Sequence, residues 1–244
     1  MKIIVLNEKK RIEIKKILGR YKKYKAFSDC QADAYRVAEL YNVKVCPYCN
    51  INYTYTVFTK NRYVCRPDFD HFLLKSKNTA LSLDIDNLIP CCQQCNSRIK
   101  LRKNFFLKTH IHPFRDDFDS LAFFLIDLKK IGSIVKEDNF DISYHTKDGV
   151  QYFDEKKLNN SITDLAIIER YQHHKDVVCT IIKHGYLYNK FRCEEIEDLI
   201  EPGQNLNYAI LSLLFPDINC DINQTSLGKL KRDISREIKN LILK

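Results

Sequence analysis

The spacing of apolar residues divides the chain into stretches of different texture. In residues 10–24, Ile14, Ile17, Leu18 and Tyr21 share one side of a helix, with lysines and arginines around them. Ala34, Val37, Ala38 and Tyr41 make a second stripe. Ser28 with Gln31 suggests a capping box, so a helix is predicted over 29–41. The segment INYTYTV (51–57) alternates, which predicts a strand with Ile51, Tyr53, Tyr55 and Val57 turned inward. The polar break at 59–62 reads as a turn and 63–72 as a return strand, with Pro67 marking an edge or bulge. A short helix is predicted directly after Cys95.

Farther along, strands are predicted at 122–128 and 140–144, and Asp148-Gly149 reads as a hairpin-type turn. A long helix over about 162–184, capped by Ser161, lines up Ile167, Tyr171, Val178 and Ile181. Another helix over about 204–215 stops at Pro216, and a basic amphipathic helix follows Gly228. The chain therefore divides into a basic helical segment (1–45), a core dense in Cys, His, Asp and Asn (46–115), and a mixed, mainly helical region (116–244).

Composition narrows the class. With 45% hydrophobic and 29% charged residues in 244, the chain has enough apolar material to fold as a globule. Its apolar runs, such as 121–128, fall well short of the roughly 20 residues of a membrane span. The N-terminal apolar stretch is too short for a secretory signal. The expectation is a cytoplasmic protein with no membrane partner. The net charge of +9 is uneven: residues 1–25 hold ten Lys or Arg against two Glu. Such a segment suits a polyanion such as nucleic acid, and equally a solvated helix face.

The ten cysteines include two Cys-x-x-Cys pairs, Cys46/Cys49 and Cys92/Cys95. In a reducing compartment that pattern favours metal over disulfides. Each tight knuckle turns two thiolates to one side, and two knuckles complete the tetrahedron of structural zinc. The competing reading is a set of buried free thiols, which pack as small hydrophobes. Cys91, beside Cys92, is a possible substitute ligand. Cys30, Cys65, Cys179, Cys193 and Cys220 read as structural. A closed four-Cys site has no open coordination position, so chemistry must come from the residues between the pairs.

Those residues include Asp68, Asp70-His71 and Asn87, with Asn96 directly after Cys95. Phosphodiester hydrolysis needs a deprotonated water and neutralisation of charge at phosphorus. A neutral His serves the first, and a hard divalent cation on oxygen ligands serves the second. As strand neighbours, Asp70 and His71 point to opposite faces. Phosphate contacts are assigned to Lys75, Lys77, Arg98 and Lys100, with solvated surface charge as the alternative.

Over about residues 46–112, the Asp70-His71, Asn87 and Asn96 positions framed by the two cysteine pairs resemble the HNH (ββα-metal) endonuclease family. The resemblance implies a zinc-stapled ββα-metal core within an α+β chain whose N- and C-terminal flanks are mostly helical. It also implies His71 as general base, Asp70 and Asn96 as ligands of Mg²⁺ or another divalent ion, and Asn87 as the loop tie that orients His71. Asp68 competes with Asp70 for the ligand role. More narrowly, CPYCN, DHFLLKSK, NLIPCCQQCNSRIK and His112-Pro113-Phe114 resemble the HNH component of Septu-type and retron-associated antiphage systems. That implies a partner ATPase and a nucleic-acid substrate, with DNA favoured over RNA. The rival expectation is a non-catalytic zinc module that binds nucleic acid or docks a partner.

Overall fold

The computed structural model describes residues 1–129, 136–187, 191–192, 195 and 217–242. It is a mixed α and β protein in two compact units. One comprises residues 1–121, 149–166 and 223–226; the other is drawn from 122–148, 167–222 and 227–244. Segments 1–45 and 46–115 thus fall in the same unit.

The first unit opens with α1 (Glu8–Leu18), α2 (Tyr24–Asp29) and α3 (Gln31–Tyr41). Asn7 caps α1, its side chain accepting the Lys10 N–H at 2.9 Å. The helix predicted to reach residue 24 stops at Leu18. Gly19 caps it, and the Arg20 and Tyr21 N–H groups tighten onto Ile17 and Leu18 carbonyls. The expected Ser28/Gln31 capping box does not form. Ser28 lies inside α2, and α3 starts after Cys30 with no side-chain cap. Asn42 ends α3 in the left-handed region, φ 51°.

The apolar stripes of these helices are not a detached arm. Ile14, Ile17, Leu18, Phe27, Val37 and Tyr41 share one core with Phe69, Ile85 and Leu88. Each fully buried side chain of this size contributes about 1.5–3 kcal/mol, which fixes the basic segment by its apolar side and leaves Lys9, Lys15 and Lys16 exposed.

Two separate hairpins follow. β1 (Val57–Thr59) pairs antiparallel with β2 (Arg62–Cys65) around Lys60-Asn61. β3 (Asp68–His71) pairs antiparallel with β4 (Leu88–Cys91), matching Asp68 to Cys91 and His71 to Leu88. The single return strand predicted over 63–72 is therefore two strands with different partners. It breaks at Pro67, which has no N–H for a ladder. The strand predicted over 51–57 is replaced by one bridge, Val45 to Tyr53. Residues 52–54 fold back on 44–46 across the first knuckle, with Cys46 N–H to Asn52 O and Thr54 N–H to Lys44 O both at 2.9 Å. Tyr53, Tyr55 and Val57 are consequently exposed rather than inward.

Helices α4 (Phe118–Leu121) and α5 (Tyr152–Asp164) complete the first unit's regular elements. In the second, β5 (Ala122–Leu128) and β6 (Phe140–Thr146) pair antiparallel. They go with α6 (Ile167–Tyr171), α7 (Lys175–Leu187) and α8 (Gly228–Ile242). The long helix predicted over 162–184 is broken at Leu165-Ala166, where Ala166 adopts φ 49°. Ser161 sits inside α5, not at a cap. The stripe Ile167, Tyr171, Val178 and Ile181 is buried as expected. Asp148-Gly149 does turn, with Gly149 at φ 79°, but it leads from β6 to α5 instead of closing a hairpin. The helix expected at 204–215 lies outside the described residues. Among the described residues, no helix is long and apolar enough to cross a membrane.

Candidate functional site

The Sγ atoms of Cys46, Cys49, Cys92 and Cys95 all lie within 4.8 Å of one another, and all four residues are buried. Cys49 and Cys92 approach to 4.0 Å. In a tetrahedron with Zn–S bonds of about 2.3 Å, neighbouring sulfurs stand about 3.8 Å apart, so the cluster fits a zinc ion. The backbone is shaped for it. Asn50, at φ 54°, turns the first knuckle and returns its N–H to Cys46 O at 2.8 Å. Backbone N–H groups of Ile51 and Cys95 point at Cys49 and Cys92 sulfurs at 3.4 Å, and the Asn52 amide donates to Cys92 at 3.3 Å. Hydrogen bonds from the other three thiols and from Asn52 hold the Cys92 thiol low, while burial pushes Cys46 up. Four sulfurs packed this closely can all be thiolates only with a cation to neutralise them. Cys91 is buried on β4, opposite Asp68, and is not among the four.

β4 runs straight into the second knuckle, and the chain then forms a wide helical turn, Cys95–Lys100. It is closed by the Leu101 N–H to Asn96 O at 3.2 Å, five residues back. At the other end of the β3–β4 ladder, Asn87 ties the intervening loop. Its Oδ1 accepts from Leu73 N at 2.7 Å, and its Nδ2 donates to Leu73 O and Leu81 O at 3.2 and 3.0 Å. Phe72 N–H, beside His71, bonds Asn87 O at 2.9 Å. Asn87 is thus hydrogen-bonded to both sides of the loop, at Leu73 and at Leu81.

The other sequence-derived site residues do not converge. Asp70 is 4% exposed. Its Oδ2 accepts from Tyr48 OH at 2.7 Å, and the Lys100 ammonium stands 3.0 Å from both of its oxygens. Lys100 also donates to His71 O at 2.8 Å and faces the Phe105 ring. It is 0% exposed, so the phosphate contact expected of it is corrected: it is the buried counterion of Asp70. Asn96 turns its amide to Asp68 Oδ2 at 3.1 Å. Asp70, with its two oxygens on Lys100 and Tyr48, does not fit a divalent ion in this arrangement, whereas the Asn96 contact engages Nδ2 and not the Oδ1 that would ligate one. Lys75, Lys77 and Arg98 are exposed.

His71 leaves β3 on the side away from Asp70, as strand alternation dictates. Its ring packs edge-on against Tyr24, centroids 4.5 Å apart, and Lys75 lies over the other partner, 5.1 Å from the Tyr24 centroid. Nε2 is 3.0 Å from Ser82 O. A carbonyl only accepts, so Nε2 carries the proton and Nδ1 the lone pair. Burial depresses the His71 pKa below 6.5, which keeps the ring neutral at pH 7.

His112 bonds Asp86 O at 2.9 Å and packs on Phe72, and His110 bonds Asp164 at 2.9 Å, so both are held structurally. Burial lowers both pKa values. The unfolded chain, with His near 6.5, then binds more protons than the native state between the two values. Stability is full above pH 6.5 and is lost as pH falls below it. The melting temperature of the zinc-loaded protein should drop between pH 7.5 and pH 5; a rise would contradict this account.

Sequence reasoning missed Tyr48 and Lys100 as the partners of Asp70. Tyr48 lies inside the CPYC knuckle and carried no separate signal. Lys100 reaches the interior because the wide turn brings the fifth residue after Cys95 back to the inward side, which a 3.6-residue period does not anticipate. Compared with family models, with curated proteins and with solved structures, the chain gives no match.

Proposed function

We propose that this chain is a nuclease of the HNH type that hydrolyses phosphodiester bonds of nucleic acid. The observation that carries the reading is a strand–strand–helical-turn unit, β3, β4 and Cys95–Lys100, clamped at its base by the four cysteines. A neutral imidazole stands on β3, beside an exposed lysine. In this reading His71 takes the proton of the attacking water at Nδ1, and Lys75 holds the phosphate by charge. The zinc shapes the unit and does no chemistry. A divalent ion reaches Asp70 only if the Lys100 ammonium leaves it. A partner ATPase of a defence complex belongs to the same proposal, and its co-purification with the chain is the check.

The experiment is a plasmid-nicking assay on zinc-loaded protein with and without added Mg²⁺, alongside His71→Ala. General-base catalysis is worth about 10²–10⁴-fold, so the variant should lose at least a hundredfold in rate while keeping its zinc and its melting temperature. A variant that cuts at the parent rate ends the role of His71 as general base, and a parent protein that cuts under no condition ends the nuclease reading. The closure of Asp70 by Lys100 favours one second reading, a zinc module that binds nucleic acid without cutting it. Binding with no cleavage under any divalent ion would support that module.

A further inference from the structure

The β1–β2 hairpin is exposed on both faces, every residue of both strands included. Yet it carries large apolar side chains: Phe58 is 50% exposed and Val64 46%. Just before it, Tyr53 and Tyr55 are about half exposed, with rings stacked 4.8 Å apart at 14°. Solvated hairpins ordinarily carry polar residues at such positions, so this concentration of exposed rings marks a contact site. Its charge says what it contacts. From Leu40 to Pro67 the sequence has no Asp or Glu, but it has Lys44, Lys60, Arg62 and Arg66. A cleft of about 540 Å³ lies against the hairpin, lined by Tyr35, Phe58, Lys60, Arg62 and Tyr63 among others. That is within the range of clefts that take small ligands. The one carboxylate lining the cleft, Glu39, shares the Arg36 guanidinium with Glu13, each at 2.7 Å.

We infer that the β1–β2 hairpin, with the Tyr53/Tyr55 pair that precedes it, is a stacking platform for unpaired nucleic-acid strands. Flat exposed rings beside Lys60 and Arg62, on a hairpin without a carboxylate of its own, are what a strand with open base faces and a phosphate backbone requires. A duplex keeps its base faces stacked inside and has nothing to offer the rings. A protein partner would use the apolar surface but would leave the cations of the hairpin, Lys60 and Arg62, unexplained. The hairpin is one residue pair, Arg66-Pro67, from β3 and its Asp68–His71 run, so a strand held here is delivered toward the proposed cleavage residues. The inference rests on the nuclease reading for that last step alone.

The test is fluorescence anisotropy of labelled oligothymidylate and of a duplex of equal length. Zinc-loaded His71→Ala protein without added divalent ion serves as binder, so binding is read independently of cutting. The expected result is at least tenfold tighter binding of oligothymidylate than of duplex. Tyr53→Ala/Tyr55→Ala should lose at least tenfold on oligothymidylate and little on duplex, with unchanged zinc content. Lys60→Gln/Arg62→Gln should flatten the salt dependence by up to about two phosphate contacts. This second pair keeps the test decisive if the tyrosine variant does not fold. Equal affinity for single strand and duplex would overturn the inference, and so would tyrosine and basic-pair variants that bind like the parent. Self-association of the chain that vanishes in either variant, without single-strand binding, would also overturn it and assign the surface to a second copy. Each of these outcomes leaves the nuclease reading to its own nicking assay.

Discussion

Cys92→Ser should leave the first unit unfolded at 25 °C. Cys92 is buried, within 4.8 Å of the other three sulfurs, and accepts hydrogen bonds from Cys95 N–H and Asn52. Structural zinc contributes on the order of 10–16 kcal/mol in small domains, whereas whole domains are stable by about 5–15 kcal/mol. Loss of one thiolate therefore threatens the entire stability of the unit. The cluster also joins segments distant in sequence: the 44–54 fold-back and the start of the turn that follows β4. Metal content and a circular-dichroism melt measure the effect. Cys91→Ser is the control and should keep one zinc per chain, because Cys91 stands outside the cluster. A Cys92→Ser protein with full zinc and an unchanged melt would remove Cys92 from the ligand set, and a parent protein that takes up no zinc would make the four sulfurs ordinary buried thiols.

The second large effect is at the buried pair. Asp70→Asn leaves the Lys100 ammonium at 0% exposure without its counterion. Removing one member of a buried pair costs about 3–5 kcal/mol, because the remaining charge is stranded away from water. Lys100→Met removes the charge and fills the same space, so Asp70→Asn/Lys100→Met should recover most of the loss. A urea titration of the three variants reads this directly. If Asp70→Asn alone melts like the parent, the pair is not buried in solution. The single variant Lys100→Met also asks whether Asp70 ever holds a metal. With the ammonium gone, Mn²⁺ should bind at least tenfold tighter than to the parent, followed by electron paramagnetic resonance, and the gain should vanish in the double variant. Unchanged Mn²⁺ affinity would make Asp70 a structural anion only, and would favour the binding module over the nuclease.

Much of the local order follows from short-range rules. The stripes of α3 and α7, the β5–β6 strands and the amphipathic α8 each rest on a periodicity that any helix or strand must satisfy to bury one side. The cysteine pairs were equally legible, because metal geometry demands two close thiolates per knuckle whatever the surrounding fold. Errors cluster where a single residue breaks a pattern. Gly19, Pro67 and Ala166 end elements that the hydrophobic spacing would have continued. The tyrosines at 53 and 55 alternate as a buried strand does, yet they face water, since a period of two states only that alternate residues share a face. It does not state which face is covered.

The sequence by itself determined the cysteine ligand set, the apolar stripes and the chemical types of the candidate site: imidazole, carboxylate, amide and lysine. Tertiary structure alone decided the pairings among them. It gave Asp70 to Lys100 and Tyr48, Asn96 to Asp68, and His71 to Ser82 and Tyr24. The reason is that a side chain's partner depends on how distant segments cross. A six-residue turn of unusual width, and a strand that sends its carboxylate and imidazole to opposite sides, fix those crossings here.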